Sequence, residues 1–152
     1  MKKNSRLLPI LFLSLTVLVA ACAAWNLYTQ PTTEPGVVLI HQGDHTYELY
    51  KNKLSPASLH FDVTNAKGET RAIDAPGVSL DYALRAVGIS TDEINSVTIT
   101  AADAYSATVS NDEIRADAAW LIISDDNTFR LIVPTDPDSR RNVSNVQTID
   151  IH

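Results

Sequence analysis

The chain is short of the residues that most site chemistry requires. Its 152 residues include one cysteine, Cys22, and five glycines, at positions 36, 43, 68, 77 and 88. With no thiol beyond Cys22, iron–sulfur, c-type haem, thiol-protease and dithiol redox chemistry are excluded from the rest of the chain. Glycines so scattered build neither a phosphate-binding loop, nor a dinucleotide fingerprint, nor a Gly-x-Ser-x-Gly nucleophile elbow. Basic residues are scarce as well. Lys2, Lys3 and Arg6 precede every acid, and the chain beyond them holds nine basic against 18 acidic residues, a net charge of −9. Such a surface repels phosphate backbones. The only adjacent basic pairs are Lys2-Lys3 and Arg140-Arg141, so no nucleic acid is expected as a partner.

What is present fixes location first. A basic start, an apolar run from Leu7 to Ala20 broken by Ser14 and Thr16, and the small residues Ala20-Ala21-Cys22-Ala23-Ala24 have the organisation of an export signal. The positive flank keeps the amino end in the cytoplasm and sends the remainder across the membrane. Val19-Ala20-Ala21-Cys22 resembles the lipobox of bacterial lipoproteins, in which the cysteine is acylated, and this accounts for an otherwise odd thiol. The rival is an uncleaved helix over Leu7 to Trp25, near the roughly 20 residues that span a bilayer, and simple cleavage is the third course. All three place the domain outside, on a bacterial cell surface or in a periplasm. Residues 1–25 are thus expected to be signal or anchor, 26–36 a Pro-bearing tether, and 37–152 one extracytoplasmic domain.

Within that domain the patterning predicts about eight short strands and one helix, an α+β class with a single mixed sheet. Val37 to Gln42 and His45 to Tyr50 flank Gly43-Asp44 as a hairpin, and Ser58 to Thr64 turns through Asn65-Ala66-Lys67-Gly68 into Glu69 to Asp74. Ser79 as N-cap, Leu80, Leu84 and Val87 on one face, and Gly88 at the C-terminal cap predict an amphipathic helix over about 79–88. Strands are expected at Val97 to Ala101, Tyr105 to Ser110, Trp120 to Ser124, Phe129 to Val133, where Arg130 interrupts an apolar run, and Gln147 to His152.

Register decides whether the first hairpin can hold a metal. A three-residue loop, Gln42 to Asp44, sets His41 opposite His45 and lets Asp44 join a zinc or copper site. A two-residue Gly43-Asp44 turn sets Gln42 opposite His45 and His41 opposite Thr46, and the histidines then point to opposite faces. Turn statistics favour the second register, with Val38, Ile40, Tyr47 and Leu49 as its apolar face. The acidic pairs Asp92-Glu93, Asp112-Glu113 and Asp125-Asp126 are expected in solvated turns.

Ser96-Val97-Thr98-Ile99 leading into Ala102-Asp103-Ala104-Tyr105-Ser106, the apolar Trp120 to Ile123 stretch, Phe129-Arg130-Leu131-Ile132-Val133-Pro134, Asn142-Val143 and Gln147 to Ile151 together resemble the molybdopterin-binding domain of the sulfite oxidase family. The resemblance covers roughly Val78 to Ile151. It implies that family's α+β fold and places any pterin pocket at Asp103, Tyr105 and the Arg140-Arg141 loop, where two guanidinia suit an anion. The family also holds molybdenum through a cysteine upstream of these strands, whereas here the one cysteine lies in the leader. Ala104 and Thr135 stand where the family has glycines that let backbone approach the ligand. The expectation is therefore a membrane-tethered binding or accessory domain without molybdenum redox activity, with no catalytic residue and no cofactor assigned, its ligand a protein or small molecule. The alternatives are a molybdopterin-dependent oxidoreductase or pterin-binding subunit, and a purely structural surface protein. Replacing both Arg140 and Arg141 by alanine is expected to remove anion binding and spare the fold.

Overall fold

A computed structural model describes residues 33–152. Cys22, the apolar leader and most of the expected tether lie outside the described residues. Among the described residues, nine strands form two sheets that share one apolar core, with two short helices at their ends. The domain is thus mostly β, with two sheets where one was expected. Among the described residues no helix is long and apolar enough to cross a membrane.

The first sheet has five strands. β1 (Val37–Gln42) and β2 (His45–Tyr50) form the expected hairpin, with Gln42 paired to His45 and His41 to Thr46 across a Gly43-Asp44 turn. Gly43 has φ 58°, a left-handed value that a glycine takes without a Cβ penalty. β5 (Ser96–Ala101), β6 (Ser106–Ser110) and β9 (Val146–Ile151) complete the sheet in the order β2-β1-β9-β5-β6. β9 runs parallel to β1 and antiparallel to β5, so the last strand of the sequence lies at the centre. Alternation is strict on β5, where Val97, Ile99 and Ala101 are buried and Ser96, Thr98 and Thr100 are not. Thr33 to Gly36, the end of the expected tether, already belong to the fold: the Thr33 N–H donates to Gln147 Oε1 at 2.7 Å and the Lys51 N–H to the Gly36 carbonyl at 2.9 Å.

The second sheet is antiparallel, in the order β3 (Ala57–Thr64), β4 (Thr70–Ser79), β7 (Trp120–Ile123), β8 (Phe129–Ile132). β4 is longer than its sequence pattern predicts. It pairs with β3 from Thr70 to Gly77, then continues past Pro76 to pair with β7 from Gly77 to Ser79. Pro76 stands where β4 has only β3 beside it and β7 has not begun, the edge setting in which proline is tolerated. Leu131 of β8 exchanges both backbone hydrogen bonds with Val143, at 2.8 and 3.2 Å, and so ties this sheet to the segment that leads into β9.

α1 (Leu80–Ala86) starts where β4 ends. Ser79 Oγ caps it by accepting from the Tyr82 N–H at 3.3 Å. It stops in a Schellman arrangement: Gly88, at φ 87°, donates to the Arg85 carbonyl, and the Ile89 N–H reaches back to Leu84. Leu80, Ala83 and Leu84 bury the inner face. A second helix, α2 (Asn111–Arg115), follows β6 without a break and corrects the expectation of a solvated acidic turn at Asp112-Glu113. Ser110 and Glu113 form a capping box, each accepting from the other's backbone N–H.

Gly77 is the tight point of the second sheet. A Cβ there would lie 2.8 Å from the Leu121 carbonyl oxygen, 2.9 Å from Leu59 Cδ1 and 3.0 Å from Ile122 Cα. Two of these atoms are backbone and cannot rotate away, so we expect Gly77→Ala to destabilise the fold by about 2 kcal/mol. Thermal or urea melting checks this, and an unchanged midpoint would refute the close approach.

Candidate functional site

The four residues assigned to a pterin by resemblance are brought into one region and are occupied there by the protein itself. Asp103 and Tyr105 sit in the turn between β5 and β6. Asp103 Oδ1 accepts the Tyr105 N–H at 3.1 Å, and Ala104 between them has φ 66°. The Tyr105 hydroxyl donates to the Arg140 carbonyl. Arg140 Nε lies 2.6 Å from Asp138 Oδ2. Arg141 is held on two sides: its Nε and Nη2 grip the buried Asp136 carboxylate, while Nη2 also lies 2.8 Å from Glu113 Oε1 on α2. The hydrogen bonds to Asp136 raise the Arg141 pKa further above its ordinary value. For Glu113, partial burial pushes the carboxyl up, but Ser110 and Arg141 outweigh it and leave the group below its usual range.

The first hairpin adopts the two-residue turn, which overturns the three-residue loop needed for a His41, Asp44 and His45 metal site. His41 faces Thr46, with Nδ1 3.0 Å from Oγ1, and His45 faces Gln42, so the two imidazoles project from opposite faces of the ladder.

The open site lies on the second sheet. A cleft of about 580 Å³ separates the tip of the β3–β4 hairpin from the 139–142 loop, within the roughly 300–1,000 Å³ range of small-molecule pockets. Ser139 Oγ donates to the Thr64 carbonyl at 2.5 Å and closes one end. The cations here are Arg71 and Arg130 rather than Arg140 and Arg141. Register explains their position. Arg71 is paired to Val63 and Arg130 to Ile122, so both arginines rise from the sheet face that carries Val63, Ile73 and Ile122. Among the described residues, four of six arginines have a carboxylate within ion-pair distance, and Arg71 and Arg130 have none. Arg130 Nε and Asn142 Nδ2 are shut away from water without a hydrogen-bond partner, which costs about 1–3 kcal/mol each. Burial, and then the like charge of Arg71, push the Arg130 pKa below its ordinary value. Glu69, the acid on the cleft wall, accepts from Asn65 Nδ2 at 2.7 Å.

Neither arginine stands out by composition. The signal was positional: Arg130 is the one charge in an apolar strand, and Arg71 falls in register with the apolar face of its hairpin. No protein-family model matches the chain, and neither does any curated protein.

The paired arginines are expected to differ in their effect on stability. Because the Asp136 side chain is only 8 % exposed, Arg141→Ala should cost about 2–4 kcal/mol by stranding that carboxylate, whereas the exposed Arg140→Ala costs less than about 0.5 kcal/mol. This replaces the expectation that both can be removed without effect on the fold, and equal melting temperatures for the two variants would contradict it. Acid sensitivity is the second expected outcome. Glu113 and Asp81 both titrate below their ordinary values; burial raises Asp81, and hydrogen bonds from Arg85 and Thr91 outweigh it. Their contribution is therefore whole above the carboxylate range of the unfolded chain and is lost as pH falls through the lowered folded values. Melting temperature against pH, compared with Glu113→Gln, checks this; a variant whose acid loss matches the wild type removes Glu113 from the account.

Proposed function

We propose that this chain is a binding domain held on the outer side of a membrane by its amino-terminal segment, taking a small ligand in the Arg71–Arg130 cleft and carrying no molybdenum redox chemistry. The observation that carries the proposal is the cleft itself: in a domain with twice as many acids as bases, two arginines line one concavity, neither with a carboxylate within ion-pair distance, and the one acid on its wall, Glu69, accepts from Asn65. Cations left unpaired in this way suit an anionic partner better than a structural role, since the four other arginines of the described residues are all satisfied internally.

The residues that the sulfite-oxidase resemblance assigns to a pterin do not fit one. Asp103 and Tyr105 close their own turn and hold the 140 carbonyl, while Arg140 and Arg141 hold Asp138, Asp136 and Glu113. Freeing Arg141 for a ligand would strand a buried carboxylate. The single cysteine at position 22 precedes the whole domain, so the thiolate through which that family binds molybdenum has no counterpart on these strands.

Elemental analysis and oxidised-pterin fluorescence on the full chain, expressed in a host that makes molybdopterin, should find far less than one molybdenum and one pterin per chain. Near-stoichiometric amounts of both would overturn the proposal. Mass spectrometry of the same preparation should find diacylglycerol on Cys22, and an unmodified Cys22 in a membrane-bound chain would transfer the anchoring role to the 7–25 segment.

A further inference from the structure

The cleft does not end at its arginines. Leu59, Phe61, Ile73 and Ala75 from the β3–β4 hairpin lie on the same face as Arg71, and Trp120 on the same face as Arg130. The four hairpin side chains pack on a small cluster of Val63, Ile122 and Ile132, separate from the main core. Only sheet residues build this cluster, and the apolar side chains at its margin stay half-buried. Phe61 and Trp120 lean on each other with ring centroids 5.5 Å apart and planes tilted by 50°. The opposite face of the hairpin is ordinary surface, with His60 and Asp74 forming an exposed pair at 2.6 Å. One side of the hairpin is therefore polar, and the other is an apolar strip that ends on two guanidinia. From Arg71 to Ala75 the strip runs for about 13 Å along the strand.

We propose that the occupant of this surface is a single-chain anionic amphiphile, its oxyanion head on Arg130 and Arg71 and its hydrocarbon chain laid along Ile73, Phe61 and Trp120. The inference rests on the reading of the domain as a binding module and adds the chemistry of the ligand. Charge complementarity selects the head. A guanidinium fork matches the two oxygens of a carboxylate or a phosphate, and an oxyanion there would give the cleft the negative charge that its own residues withhold from both arginines. The strip selects the tail, because a fully polar anion would leave the half-buried apolar margin as it is. A cation with the same tail meets two like charges at the head position. Asn65, Thr70 and Ser139 line the cleft around the head and offer further polar contacts.

The test uses Trp120 as its own reporter. In the full chain, held in phosphatidylcholine nanodiscs, Trp25→Phe leaves Trp120 as the remaining tryptophan of the two. Dodecanoate, added below its micellar concentration, is expected to shift Trp120 emission saturably, with dodecyltrimethylammonium and acetate giving no such shift. Arg130→Met keeps the apolar stem of the side chain without the guanidinium and should weaken dodecanoate binding about tenfold without lowering the melting temperature. Arg71, whose side chain is exposed, provides a second variant if Arg130→Met does not fold; Arg71→Gln should weaken binding by about threefold or more. An equal response to the cationic amphiphile, no saturable response to dodecanoate, or unaltered affinity in the folded variants would overturn the proposal. Stoichiometric molybdenum and pterin would instead remove the binding-module reading, whatever the amphiphile does, so the two failures are distinct.

Discussion

The second sheet depends on one missing methyl group. β4 changes partners at Gly77, where β3 and β7 come so close that backbone atoms of Leu121 and Ile122 occupy the space of a side chain. Close approach at this point lets one strand bind β7 at its carboxyl end and β3 alone at its amino end. The consequences differ along the sheet. Around β7 and β8 both faces are apolar, with Leu121, Phe129 and Leu131 turned to the main core and Ile122 and Ile132 turned the other way. Along β3 and β4 only one face is apolar, and the other carries Ser58, His60 and Asp74 in solvent. The cleft occurs where these two regimes meet, between the hairpin tip and the 139–142 loop.

Charge is distributed by the same geometry. Loops and helix ends hold most of the acids, and there they take up arginines one at a time: Asp81 takes Arg85, Asp138 takes Arg140, and Asp136 with Glu113 takes Arg141. Arg71 and Arg130 lie within strands on a face whose neighbours are Val63, Ile73 and Ile122, and neither forms an ion pair. An acidic protein thus contains a cationic concavity, and screening by the surrounding carboxylates is weakest where the low-dielectric sheet forms the wall.

Local signals in the sequence were sufficient for the elements with strong periodicity or caps. The β1–β2 register, the turn after Thr64, the Ser79 cap and the Gly88 stop are each written in two or three adjacent residues whose conformational preferences agree. Two features were lost because a local rule was outweighed. The pattern ends this strand at Asp74, two residues before Pro76, and only the edge geometry of β4 permits it to continue. Asp112-Glu113 reads as a polar turn, although Ser110, three residues before Glu113, already supplies half of a capping box. The candidate site was less legible. Arg140 and Arg141 stand next to each other and attract attention, but their carboxylate partners lie in the same loop or on another element, and adjacency alone does not show that both are taken. Arg71 and Arg130 are 59 positions apart in sequence, and what unites them is which side of a twisted sheet they occupy, a property fixed by pairing between strands that no local pattern reports.

The position of β9 bears on how the domain is made. Val146–Ile151 lies between β1 and β5, and its parallel pairing with β1 joins residues more than a hundred positions apart. Until that strand has emerged, β1–β2 and β5–β6 are two separate hairpins with unsatisfied inner edges, and isolated hairpins are marginal in water. Closure of the first sheet therefore waits for residue 151, and such non-local pairing is slow. This delay keeps the two hairpins pliable while the chain beyond them is still being made, and one strand, arriving last, then locks both into the finished sheet.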